Sequence, residues 1–157
     1  MTKTPFRRFC GRALAMAAAL SIIGSPARPA DDPSPKLATD ARYEAVRAHI
    51  KAKEFSAAMP VLAKLREDYP SEPDVFSLTG FSLRKSGRFD EALKLYGQAL
   101  MLDPRHLGAN EYLGELYAET GKLDLARERL AVLEAACGTG CEETQDLAKA
   151  IAAAEKK

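Results

Sequence analysis

The feature that most constrains this chain is a period. Pro70 and Pro104 lie 34 residues apart, and the same step links Phe55, Phe89 and Leu123. It also links Ala58, Ala92 and Ala126, then Leu62, Tyr96 and Leu130, then Leu65, Ala99 and Leu133. Inside each unit the apolar residues recur three or four positions apart, the spacing of one face of a helix. A fixed step of this size means one helical unit used repeatedly, each copy too small to bury its own apolar stripe. Three units follow one another without insertion, over 39–72, 73–106 and 107–140. Ala and Leu dominate while Val, Ile and Thr are scarce, which also favours helices over sheets.

The middle unit shows the pattern most fully, with Phe76, Gly80, Gly87, Phe89, Ala92, Tyr96, Ala99 and Pro104 at fixed offsets. The third repeats it at Leu113, Gly114, Tyr117, Gly121, Ala126 and Leu130, but carries Leu133 at a small position and Gly138 in place of the closing proline. The first keeps Ala45, Ala58, Leu62, Leu65 and Pro70, with Val46 replacing a small residue and Lys53 the turn glycine. These 102 residues resemble the tetratricopeptide repeat family. The resemblance implies an all-α fold, a right-handed superhelix (α-solenoid) in which each unit contributes two antiparallel helices, A and B. It also implies a concave wall of A helices that receives protein or peptide partners. Local chemistry agrees with it. Gly87 and Gly121 stand where helix A must stop in a left-handed conformation. Asp90, Glu91 and Asp124 place acid at the start of helix B, matching its dipole. Gly80 and Gly114, with Ala92 and Ala126, allow the two helices to approach closely.

Such arrays need a polar terminal cap. Residues 141–157 supply one: a helix from Glu142 to Lys156 with Leu147, Ala150, Ile151 and Ala154 on one side. Three repeats and this cap give seven helices. Cys137 and Cys141 flank Gly138, Thr139 and Gly140 at the join. A structural disulfide fits best, because two glycines let so small a ring close and the pair would fix the exit angle of the cap. Free thiols, or a Cu(I) or redox site, are the other readings of the pair. A copper site usually needs a further His or Met ligand, and His49 and His106 fall in other units. The ending also resembles that of small exported repeat proteins of Gram-negative bacteria, which implies no specific activity.

Residues 1–27 read as a secretory signal peptide. Lys3, Arg7, Arg8 and Arg12 precede an apolar stretch from Ala13 to Ile23, and small residues follow. The stretch is too short to span a membrane, which takes about 20 apolar residues. Cleavage is placed after Ala27, with Ala30 as the alternative. Processing removes four bases and no acid, leaving 19 basic and 22 acidic side chains, a net charge of −3 instead of +1. The product is expected to be periplasmic or secreted, without a membrane span, in a compartment that permits disulfides. Residues 28–38 hold three prolines and are expected to form an extended linker.

Near-balanced charge and a pI of 7.7 give no reason to expect nucleic-acid binding. Two His and three Cys are too few for most multi-ligand metal sites, and no cofactor motif is present. No nucleophile stands at a meaningful spacing from His49 or His106, so neither catalysis nor a cofactor is expected. Function is then expected on the concave wall. The resemblance assigns that wall to Asp40, Tyr43, Arg47, Ile50 and Lys51, then to Asp74, Ser77, Phe81, Arg84 and Lys85. The third unit adds Gly108, Glu111, Glu115, Ala118 and Glu119. The partner-binding candidates are Tyr43, Arg47, Ile50, Lys51, Phe81, Arg84, Lys85, Glu111 and Glu115. Tyr43 and Phe81 are the apolar anchors, and an acidic ligand segment is expected near Arg47, Arg84 and Lys85. The basic clamp for C-terminal carboxylates known in the family is not matched, since its third-unit positions are Glu here. The expected function is a periplasmic adaptor or scaffold that binds an envelope protein or peptide. The alternative is a thiol or copper accessory protein acting through Cys137 and Cys141.

Overall fold

The computed structural model describes residues 32–156. The expected signal peptide, residues 1–27, and the start of the expected linker lie outside the described residues. Eight helices follow in order: α1 (Pro35–Ala38), α2 (Ala41–Lys51), α3 (Phe55–Asp68), α4 (Pro73–Lys85), α5 (Phe89–Leu102), α6 (Leu107–Glu119), α7 (Leu123–Cys137) and α8 (Glu142–Ala154). Helices α2/α3, α4/α5 and α6/α7 are the three repeat hairpins, and α8 packs on both α6 and α7 as the cap. The fold is all-α, an α-solenoid.

Each hairpin turns at the same place in its unit. The residue there has positive φ: Lys53 at 59°, Gly87 at 76° and Gly121 at 74°. Glycine adopts this conformation freely, whereas a side chain at the first turn costs about 1 kcal/mol. The geometry at Lys53 is thus imposed by the packing of α2 on α3. Pro60 stands inside α3, where it removes one helical hydrogen bond. The first unit departs from the repeat pattern in its sequence, yet tertiary contacts hold it to the same shape.

The core runs along the stack as three apolar clusters. The first joins Leu37, Tyr43, Val46, Ala58, Leu62, Leu65, Tyr69 and Val75. The second joins Leu83, Ala92, Tyr96, Leu113 and Leu116. The third joins Ala118, Ala126, Leu133, Leu147 and Ile151, so the cap closes the last exposed face. Close approach sets residue size where α8 crosses α6. A Cβ on Gly114 would lie 2.5 Å from Leu147 Cδ2.

Two expectations are corrected. Residues 28–38 are not an extended linker throughout, because 35–38 form α1, and the described helices number eight rather than seven. Ser34 caps α1 by accepting from the Leu37 amide at 3.2 Å, and Pro35 stands in its first turn. Proline is pre-set for that position, so the Ser-Pro pair starts a turn of helix instead of preventing one. Leu37 is completely buried against the first hairpin, and the Ser34 amide donates to Glu72 at 3.2 Å. The N-terminal segment is therefore anchored from Ser34 onward.

A concave cleft as the candidate functional site

The A helices α2, α4 and α6, together with α8, enclose a cleft of about 350 Å³. Its lining comes from Asp32 and Pro33, from Tyr43 and Arg47 on α2, and from Asp74, Ser77 and Leu78 on α4. His106, Gly108, Glu111, Tyr112 and Glu143 complete it. Tyr43, Ser77 and Glu111 are one repeat position taken 34 residues apart, so the period itself lays these side chains along one floor. Among the candidates named above, Tyr43, Arg47 and Glu111 line the cleft. Ile50, Lys51, Phe81, Arg84, Lys85 and Glu115 lie outside its lining.

Phe81 belongs to a neighbouring aromatic group. Its ring meets Phe55 at 5.9 Å and Tyr112 at 4.7 Å, and the Lys85 ammonium lies 5.2 Å from its centre. The anchor is thus already packed within the protein.

Arg84 corrects the charge reading. Its side chain is 1% exposed, and its guanidinium pairs with Glu115 and with Glu119, the latter at 2.7 Å. Burial alone would weaken the charged form, but Tyr96, Glu115 and Glu119 more than offset this, and its pKa is raised. Arg84 is a structural cation between α4 and α6, not a surface waiting for an acidic ligand. Of the basic stretch expected along the groove, Arg84 is neutralised inside the fold by Glu115 and Glu119 of the acidic stretch.

Glu111 has the opposite surroundings. Burial first, and then the like charges of Glu115, Glu143 and Asp146, push its carboxyl up to about 8, with Arg84 opposing. No described residue gives it a hydrogen bond or an ion pair. Ser77 is 2% exposed, and its hydroxyl has no hydrogen-bond partner among the described residues.

His106 is buried and caps α6. Its Nδ1 accepts from the Ala109 amide at 3.0 Å, and its Nε2 lies 3.2 Å from Asp74 Oδ1. An amide can only donate, so Nδ1 carries no proton here and Nε2 donates to Asp74. With both ring nitrogens engaged, His106 activates no nucleophile in this geometry. The sequence reading treated it as packed or solvated; its place directly before a helix was the available signal. His49 sits at the surface, with Nδ1 2.8 Å from Glu54. Sequence reasoning missed Leu78, Tyr112, Glu143 and the Asp32–Pro33 pair as cleft residues. Glu143 comes from the cap, and Asp32 was assigned to a linker.

Cys137 and Cys141 form a disulfide, with their Cα atoms 6.0 Å apart. Thr144 on α8, itself buried, donates to the Gly138 carbonyl at 2.9 Å and closes the loop from the other side. Cys137, Cys141 and Glu143 offer ligand atoms within 4.8 Å of one another, but the bonded sulfurs have no thiolate to give.

Residues 83–136 match the family model for the tetratricopeptide repeat. No curated protein matches the sequence. Among solved structures, the chain is similar to the Sgt2 TPR domain from Aspergillus fumigatus, with 19% identity, 82% of each chain covered and a TM-score of 0.65. At that identity the likeness shows the fold, a tetratricopeptide-repeat solenoid. Among the described residues no helix is long and apolar enough to cross a membrane.

Proposed function

We propose that this protein is a non-catalytic adaptor, exported by cleavage of residues 1–27, which holds a peptide segment of another envelope protein in its concave cleft. The observation that carries this reading is the cleft itself. Three successive units and the cap contribute to it, and it keeps a buried hydroxyl, that of Ser77, without a hydrogen-bond partner among the described residues. Repeat folds of this kind serve protein association through such surfaces. Tyr43 and Tyr112 add aromatic walls of the sort that dominate interface energetics. The signal-peptide pattern and the disulfide together support export.

Site-specific photocrosslinking in cells tests it. A photoreactive residue at Tyr112, in the cleft, is expected to capture a partner from the envelope fraction. The same residue at Met101, which is 77% exposed and outside the cleft, serves as the comparison. Capture from position 101 alone would refute the concave reading. The alternative, a thiol or copper role for Cys137 and Cys141, draws on their closeness to Glu143. It requires reduced sulfurs. Thiol counting on protein taken from its native compartment decides it, and two free thiols with bound copper would favour it over the adaptor.

A further inference from the structure

Resting on that peptide-binding reading, we propose that the cleft is a cation site: it receives a guanidinium or ammonium group carried on an extended segment of the partner. Carboxylates reach it from four separate places, namely Asp32, Asp74 on α4, Glu111 on α6 and Glu143 on α8. The lining offers one full cation in return, Arg47, which is exposed and lies 3.6 Å from Glu44. His106 is engaged within the fold, its Nδ1 accepting from the Ala109 amide and its Nε2 lying 3.2 Å from Asp74. The nearest buried cation, Arg84, is already held by Glu115 and Glu119. Among the described residues the lining therefore holds four acidic side chains against one arginine.

Acidic residues alone would define only a solvated face. The Ser77 hydroxyl makes the difference, being buried on the cleft floor without a partner. A buried polar atom of this kind is normally satisfied, and a ligand donor satisfies it here. A guanidinium or ammonium is all donor, so one group can serve the hydroxyl and the carboxylates together. Tyr43 and Tyr112 line the cleft beside these groups. A metal ion fits less well. Among the described residues the only trio of ligand atoms within 4.8 Å is Cys137, Cys141 and Glu143, so the cleft carboxylates do not converge as metal ligands do. Their spread matches a larger organic cation.

Glu111 gives the site a proton signature. It is faced by Glu115 on its own helix, by Glu143 and Asp146 from α8, and by Arg84 from α4. Across the cleft stand Asp74, His106, Asp32 and Arg47. With its carboxyl pushed up to about 8, Glu111 is mostly protonated at neutral pH. A bound cation favours the carboxylate, so binding expels that proton, and affinity rises as pH rises through 8.

The test uses the processed chain and three acetylated, amidated hexapeptides, identical except for Arg, citrulline or Glu at the third position. Calorimetry at pH 7 in two buffers of different ionisation enthalpy reads affinity and proton release together. The Arg peptide is expected to bind at least tenfold more tightly than the citrulline peptide, with release of about one proton. Glu111→Gln with Glu143→Gln is expected to erase that preference. Equal binding of all three peptides would overturn the cation site while leaving the peptide groove standing. Absence of binding by all three, with crosslinks from position 101 alone, would remove both. Arg28 lies four residues before Asp32. If the Arg peptide binds only after Arg28→Ala, the occupant is the chain's own segment and the partner assignment is overturned.

Discussion

Arg84 and Glu111 stand on neighbouring A helices, and burial acts on both, with opposite consequences. Arg84 is enclosed with two carboxylates and a phenol, and its charge is strengthened. Glu111 is enclosed with three more acids, and its charge is suppressed. The protein thus uses one buried charge to tie two repeats together and leaves another under like-charge repulsion in a cleft. A buried charge that meets opposite charge inside the fold, as Arg84 does through Glu115 and Glu119, is structural. A buried group whose complement is missing is where a ligand gains most, since the ligand supplies what the fold withholds.

The sharpest way to break the comparison is Arg84→Met, which keeps bulk and removes charge. It leaves Glu115 and Glu119 facing each other beside a buried apolar chain. A loss of about 4 kcal/mol in denaturant unfolding is expected, as for removal of one partner from a buried ion pair. An effect under about 1 kcal/mol would mean that Arg84 is not structural.

Next comes the pH dependence at Glu111. A carboxyl whose folded pKa is raised keeps a proton that the unfolded chain has released. Its contribution is therefore lost as pH rises from 4.5, its ordinary value, to about 8. The loss should be on the order of 3 kcal/mol, below the full equivalent of the shift because the carboxyl retains some water contact. Unfolding curves across this range should slope downward in the native protein and flatten in Glu111→Gln.

Opening the disulfide sharpens the comparison from the cap side. A ring of five residues constrains the unfolded chain by about 2 kcal/mol. Cys137→Ser with Cys141→Ser should lower stability by that amount and let α8 shift. Because α8 carries Glu143 and Asp146, the Glu111 carboxyl should then titrate lower, as followed by NMR, while Arg84 keeps its pairs. Gly114→Ala pushes on Leu147 and should move Glu111 in the same direction.

The smallest effect is the control. Lys53→Gly relieves a side chain at positive φ, though glycine loosens the unfolded chain. A net gain of about 0.5 kcal/mol is expected, read as a small rise in melting temperature, with Glu111 and Arg84 unchanged.

Much of the fold was legible because repeats encode it redundantly. The 34-residue step fixed the three hairpins, and Gly87 and Gly121 marked turns that the backbone confirms at positive φ. The turn at Lys53 was legible only by register, since its own residue argues against that conformation. Helix α1 was misread because proline was counted as a breaker, although after Ser34 it begins a helix. The site was legible in part. Concave positions such as Tyr43, Ser77 and Glu111 followed from the period, whereas Glu143 and Asp32 enter the cleft from segments outside the repeats.

The sequence by itself determined the number of repeats, the hairpin turns, the cap and the placing of two cysteines four residues apart at its base. Each of these depends on spacing along the chain, which a sequence records directly. The state of the charges was decided only in three dimensions. Arg84 and Glu111 look alike on paper, each one of several charges on a predicted wall. Which of them meets opposite charge depends on how α4, α6 and α8 stack. Coulomb interactions act through space between residues about 30 positions apart, and the low dielectric of a buried site magnifies them.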